Sequence, residues 1–380
     1  MPHIISVDDE ETFERFTREG YVGVRFPAKY YDEYQGQQVS ARKLASFLGT
    51  MYDIFADLKR VKPGDEIFLH VKGQQRIFGV FVATTRFLED PSVPAAVQSI
   101  NLTMDLLSSG NLPLMPANMF PWQVGICSKL DQCFSDGFES NQVFRIKELT
   151  RQVWTVPERW KYEDKEKTVR PILPDEAGPL TALLDYANRA ARRSLVVNSK
   201  DLIHFRPISL PMALINGQIR DEKLLEAWLM ENAITPEDEA AHRNLLEVLG
   251  EFTFVANTIR SFYIKFMDVF GFKQDSDQDR TFKIVETKKG EVESKHIDQL
   301  ARYVKWVTEF LAENDFQKVR GYIIGREFAQ DALSLLQRRI AEGIDLVSIR
   351  YAYRNGRFQL VPVSGTSSSL STTQQCAQVI

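Results

Sequence analysis

Three segments in the second half of this 380-residue chain carry side chains that can do chemistry together. The first, YIKFMDVFGF, sets Asp268 at the end of an apolar run. The second, FKIVETKKG, holds Glu286 and Lys288. The third, DQLARYV, carries Gln299 and, one helical turn later, Tyr303. Alternate residues of a strand face the same side, so Glu286 and Lys288 project together. Asp268 and Glu286 offer carboxylate oxygens, the donors that a hard divalent cation takes. Lys288 beside them can orient or deprotonate a water, or neutralise charge developing on a phosphate. A cation, an attacking water and a lysine imply hydrolysis of a phosphodiester. Each part is common alone: Glu-x-Lys occurs on edge strands as a solvated salt bridge, and Asp after an apolar run often forms a turn. The specificity lies in the order: acid-bearing helix, strand with Asp, hairpin, Glu-x-Lys strand, then a helix with Gln-x-x-x-Tyr.

The elements that must position these groups follow from periodicity. DEKLLEAWLMEN (221–232) spaces Leu224, Leu225, Trp228 and Leu229 as a helix, and 240–247 reads as a second one. Strands are expected at 252–255, 261–269 and 282–287. Residues 296–314 form an amphipathic helix with Ile297, Leu300, Val304, Val307 and Leu311 on one stripe. A strand at 319–325, a helix at 328–342 and a hairpin of 346–353 with 356–362, turning at Asn355-Gly356, complete the pattern. This order describes an α/β sandwich around a short mixed sheet.

The first 160 residues have a different grain, rich in strands. VKPGDEIFLHVKGQQRIFGVFVATTRF (61–87) is a hairpin, with Lys62-Pro63-Gly64-Asp65 as a turn and a reversal at Gly73-Gln74-Gln75. Before it, 40–58 has helical spacing; after it, strands are expected at 123–126 and 142–147. KYEDKEKTVRPILPDEAGP (161–179) is charged and then punctuated by prolines, so it reads as a linker, followed by a short helix from Leu180 to Arg193. The Ser/Thr/Gln-rich tail reads as disordered.

Composition bounds the function. Hydrophobic residues make up 44%, charged 26% and aromatic 11%, which excludes a mostly disordered chain. No apolar run reaches the length of a membrane span, and the N-terminus lacks the pattern of a secretory signal. Three cysteines, without a C-x-x-C or a matching His pair, make neither a disulfide framework nor a zinc site, so the chain reads as cytoplasmic and reduced. A net charge of −4 means that any nucleic acid must be held by local basic patches.

With these residues in place, the region 215–362 resembles the PD-(D/E)xK nuclease superfamily, and within it the NucS/EndoMS endonucleases. The motifs that carry the resemblance are EKLLEAWLMEN opening with Glu222, MDVFG with Asp268, Glu286-x-Lys288 followed by Lys289, QLARYV from Gln299 to Val304, and VRGYIIG. The resemblance implies a restriction-endonuclease-like αβββαβ domain that cleaves DNA with Mg2+ or Mn2+. Asp268, Glu286 and Lys288 would form its core, Asp268 and Glu286 holding the metal. Glu222 and Gln299 would support them, with Glu226 as an alternative helix acid. Lys289, Lys295 and Arg302 are candidates for DNA phosphate contacts.

The hairpin at 61–87 resembles, more loosely, the EVE branch of the PUA-like β-barrel. That likeness implies a reader of a modified, flipped-out base, with Trp122, Tyr21 and Phe26 as pocket candidates; for each one a place in the core is the commoner use. Trp154 and Trp160, near Arg151, Arg159 and Lys161, fit a nucleic-acid-facing edge or a solvated face. The expected organisation is a reader at 1–160, a linker with a short helix at 161–214, a nuclease at 215–362 and a disordered tail at 363–380. This pairing implies a modification-dependent restriction enzyme acting on double-stranded DNA, a homodimer if both strands are cut. The alternatives are a NucS-like mismatch or structure-specific repair nuclease, and an inactive nucleic-acid-binding protein. Asp275-x-Asp277-x-Asp279 mimics a calcium loop, but Arg280 stands where that loop needs glycine. His70, His204 and His296 have no partner spacing for zinc or a triad.

Overall fold

The computed structural model describes residues 1–25, 40–94, 98, 119–145, 168–190, 193–208, 214–215, 218–219, 221–234, 238–260, 266–276, 279–354 and 357–363. The chain divides into two units, Met1–Leu214 with Ile219–Glu237 and Ala256–Phe266, and Ile215–Gln218 with Asp238–Val255 and Met267–Ile380. Both are mixed α/β. Among the described residues no helix is long and apolar enough to cross a membrane.

The first unit begins with β1 (Pro2–Val7), α1 (Glu10–Glu19) and β2 (Tyr21–Val24). Asp9 caps α1 by accepting from the Thr12 amide. Gly20 ends α1 at φ 71, where an added Cβ would meet the Asn198 carbonyl oxygen at 1.8 Å, so only glycine fits. Then come α2 (Ala41–Arg60), β3 (Glu66–Val71), β4 (Arg76–Ala83) and β5 (Trp122–Ser128). The expected hairpin is β3–β4, antiparallel with one irregularity between Ile67 and Leu69. Its sheet is a curled half-barrel in which β1 runs parallel to β3 and β5 pairs with both β4 and β2.

Two expectations shift here. Residues 142–147 read as a strand, yet Gln142–Arg145 is a short helix, α3. The proline-punctuated stretch read as a linker, yet β6 (Val169–Pro171) pairs with β1, and α4 (Pro174–Asn188) packs Leu180, Leu183 and Leu184 onto Phe68 and Phe138. The physical reason is that proline at the first helical position costs nothing, because its missing N–H has no partner there anyway. Glu176, at the third position, accepts the Leu173 amide at 2.8 Å and completes the start. Helix α5 (Glu222–Ile234), which the sequence grouped with 215–362, packs on α2 within the first unit. Lys223 Nζ lies 3.4 Å from Asp53, and Lys59 pairs with Glu231.

The second unit contains α6 (Glu239–Leu249), β7 (Phe254–Arg260, of which Phe254–Val255 belong here), β8 (Phe266–Ser276) and β9 (Asp279–Thr287). They are followed by α7 (Ser294–Phe310), β10 (Val319–Gly325), α8 (Gln330–Ala341), β11 (Leu346–Arg354) and β12 (Arg357–Pro362). The six-stranded sheet runs β7-β8-β9-β10-β11-β12. The β9–β10 and β10–β11 pairs are parallel, crossing over through α7 and α8, while β8–β9 and β11–β12 are antiparallel. On one face α7 lays down Ile297, Leu300, Val304 and Val307, all fully buried. Each such side chain contributes roughly 1.5–3 kcal/mol. Helix α6 lies along β12, where Asn244 accepts the Leu360 amide at 2.7 Å and donates to its carbonyl at 3.0 Å. That bidentate contact closes a sheet edge otherwise open to another strand.

Candidate active site

The site of the second unit forms at the end of the β8–β9 hairpin. Residues 261–269 read as a strand ending in Asp268; residues 261–265 lie outside the described set, and the described strand β8 does not end there but continues past Asp268 to Ser276. A turn was the ordinary use for such an aspartate, but here its carboxylate is taken by the neighbouring strand. Asp268 Oδ2 accepts from the Thr287 amide at 2.8 Å and from the Thr287 hydroxyl at 3.1 Å. The register that pairs Val269 with Val285 brings Asp268 and Glu286 to the same end of the ladder. The acidic KQDSDQDR stretch is mostly strand as well, with residues 277–278 outside the described set.

Glu286 and Lys288 lie at the C-terminal end of β9, where the parallel neighbour β10 steadies the chain: the Lys288 amide donates to the Ile324 carbonyl at 2.8 Å. The Lys288 ammonium is 2.9 Å from Glu286 Oε1 and 3.6 Å from Asp268 Oδ2. It also donates to the Thr287 carbonyl at 2.5 Å. Glu286 is 1% exposed, so its charge depends on these partners. Helix α7 supplies the rest. Gln299 Nε2 donates to Glu286 Oε1 at 2.9 Å and to the Tyr303 hydroxyl at 3.2 Å, which fixes the amide between two acceptors. Burial first, then the Glu286 and Asp268 carboxylates, push the Tyr303 hydroxyl upward, so it stays a neutral phenol. Glu293, ahead of α7, donates its amide to His296 Nδ1 at 3.0 Å, which gives that histidine a capping role.

Among the described residues no group of three or more His, Cys, Asp and Glu side chains gathers to hold a metal. The residues present nevertheless suit a hard cation. Asp268 and Glu286 already converge on one positive charge, the Lys288 ammonium. With the Thr287 carbonyl they form an all-oxygen donor set, and Mg2+ ordinarily keeps waters in its remaining positions.

The candidate helix acids stand on another element. Glu222 opens α5 in the first unit; Glu226, four residues on, is 1% exposed and paired with Lys223 at 2.9 Å. Lys289, Lys295 and Arg302 are exposed on the second unit, and Lys295 pairs with Glu293 at 2.8 Å. In the first unit Trp122 is fully buried, donating to Glu89 at 3.3 Å with its ring edge against Phe55. Tyr21 is 1% exposed and packs against Phe16, with Lys200 Nζ 4.3 Å from its ring centre. Phe26, Trp154 and Trp160 lie outside the described residues. The sequence reading missed Thr287, whose amide and hydroxyl hold Asp268. A threonine between Glu and Lys carries no spacing signal of its own.

No protein-family model and no curated protein matches the chain. Among solved structures it is similar, over part of its length, to a repair endonuclease from Pyrococcus abyssi (24% identity, TM-score 0.21), covering 29% of this chain and 46% of that one. It is similar to EndoMS in apo form (22% identity, TM-score 0.20), covering 29% and 45%. It is also similar to EndoMS in a complex with double-stranded DNA (18% identity, TM-score 0.23), covering 38% and 50%. The matched part spans about half the length of those proteins. The EndoMS structures belong to the group that the Asp268, Glu286-x-Lys288 and QLARYV motifs resemble, and the structural similarity of this chain is to repair endonucleases of that kind.

Proposed function

We propose that this protein is a divalent-metal-dependent DNA endonuclease of the repair type, cutting at mismatched or branched sites. The observation that carries the reading is the convergence of Asp268, Glu286 and Lys288, with the Lys288 ammonium within 3.6 Å of both carboxylates. A bound Mg2+ or Mn2+ would supply Lewis-acid polarisation of the phosphoryl oxygen and lower the pKa of an attacking water. Asp268 and Glu286 would hold it, and the Thr287 amide and hydroxyl keep Asp268 aimed. Lys288 would orient the water and balance negative charge gathering on the phosphate. Gln299 fixes one oxygen of Glu286 and so sets the direction of the other. On this reading the second unit is a restriction-endonuclease-like core.

The repair reading is preferred to a modified-base restriction enzyme. Nothing in the described residues favours a base-reading pocket, since Tyr21 and Trp122 fill the interior of the first unit. The test is cleavage of matched, mismatched, branched and cytosine-modified duplexes with Mg2+ or Mn2+, beside an Asp268→Ala, Glu286→Ala double variant. Metal-dependent cutting of mismatched or branched duplexes, lost in the variant, is the expected result. Cutting confined to modified DNA would restore the restriction reading, and no cutting of any substrate would remove the nuclease reading.

A further inference from the structure

A second feature of the same unit lies outside the carboxylate site. Helices α7 and α8 flank a cavity of about 370 Å³ lined by Lys295, Asp298, Ala301, Arg302, Lys305 and Arg339. Four of these six side chains are cationic and one is a carboxylate, in a chain whose net charge is −4. On α7, residues 295, 298, 302 and 305 follow the three-and-four spacing that gathers side chains on one helix face. That face is separate from the buried stripe of Ile297, Leu300, Val304 and Val307. Arg339 crosses from α8 and is committed internally, bonding Asp298 and Glu342 at 2.7 Å each. It thereby ties the two walls of the cavity together and satisfies the one acid inside it. Lys295 leans on Glu293. Arg302 and Lys305 are exposed and, among the described residues, have no acidic partner within 4 Å.

A concave wall with two uncommitted cations suits a ligand carrying repeated negative charge. We infer that this cleft holds the sugar-phosphate backbone of the DNA strand engaged at the carboxylate site, with Arg302 and Lys305 each contacting a phosphate. The inference rests on the nuclease reading, because that reading supplies the strand. Arg302 follows Gln299 by three residues and precedes Tyr303 on the same rigid helix. The separation between the reacting phosphate and the cleft is therefore set by helix geometry, with a rise of about 1.5 Å per residue. Phosphate contacts of this kind fix the register of a strand without reading its bases.

The experiment uses the full chain and a short fluorescent duplex, with Ca2+ in place of Mg2+ to measure binding and with Mg2+ to measure turnover. The Arg302→Gln, Lys305→Gln variant is expected to bind roughly tenfold more weakly, and its plot of log affinity against log salt to be shallower by about 2, close to 0.9 per lost phosphate contact. Its KM rises while kcat at saturating DNA is kept, and Arg302→Lys with Lys305→Arg restores binding. Both pairs are on the surface, so unchanged melting temperatures would show that the fold survives. If wild type cleaves and the Gln variant binds with wild-type affinity and salt slope, the cleft inference falls and the nuclease reading stands. If wild type binds, the Gln variant loses that binding and its salt slope, and wild type never cleaves, the cleft stands as a phosphate-backbone site and the nuclease reading falls. If wild type neither binds nor cleaves, both fall.

Discussion

Burying Glu286 makes the site group both a reagent and a structural charge, and the two roles separate by mutation. Lys288→Ala removes the ammonium that balances a carboxylate only 1% exposed. Breaking such a pair from one side is expected to cost about 3 kcal/mol of stability. Glu286→Gln removes the charge itself and leaves an amide that still meets Gln299, so it should cost far less. Both should lower metal-dependent cleavage by about a hundredfold or more. Thermal melting read beside cleavage on one DNA substrate checks the contrast: equal loss of stability in the two variants would mean that Lys288 does not serve as the counter-charge.

At the scale of elements, the site depends on how closely α7 approaches the sheet. Gly321 on β10 permits this, because a Cβ there would meet Leu346 Cδ2 at 2.7 Å and Val304 Cγ2 at 2.8 Å. Gly321→Val is expected to destabilise the fold by about 1–3 kcal/mol. By pushing α7 outward it should also lengthen the Gln299–Glu286 contact and reduce cleavage in the folded fraction. Urea unfolding and cleavage measured on the same preparation test this. The stripe on α7 and the β3–β4 hairpin were legible in the sequence, because one periodicity dominates each. Helix α4 was not, since Leu-Pro-Asp-Glu starts a helix as readily as it breaks a chain, and the pairing of β6 with β1 settles the matter from far away in sequence. Of the site, Asp268, Glu286, Lys288 and Gln299 were legible from type and order. The holding role of Thr287 was not, because it depends on a hydrogen bond across strands. Nor was the basic cleft, because its second wall comes from a helix distant in sequence.

For the whole molecule, pH should act on the two units with the same sign but in two separate windows, stability rising with pH in each. In the first unit, burial, with Arg170 and Lys72 adding repulsion, lowers the His70 imidazole from 6.5 to about 4. Between those values the unfolded chain takes a proton that the folded one refuses, so stability falls as pH drops through this window. In the second unit burial lowers Lys283 from 10.5 to about 8, with Lys273 and Arg320 contributing. The folded form sheds its proton first, so this group adds stability as pH rises from 8 towards 10.5. Denaturant midpoints across both windows should show the two slopes. His70→Phe should flatten the acid limb and Lys283→Met the alkaline one; an unchanged acid limb in His70→Phe would assign it to other groups.

The parallel centre of the second sheet also governs the order of events during folding. Strands β9 and β10 pair only once the connection that contains α7 has been folded over the sheet, and the Lys288 amide is hydrogen-bonded to the Ile324 carbonyl of β10. Contacts between residues this far apart close slowly, since the entropy of the loop is lost before the pairing rewards it. The carboxylates, by contrast, stand on a hairpin whose strands are adjacent. On dilution from denaturant, helical circular dichroism should therefore recover before cleavage activity does, the lag marking the moment when β10 docks.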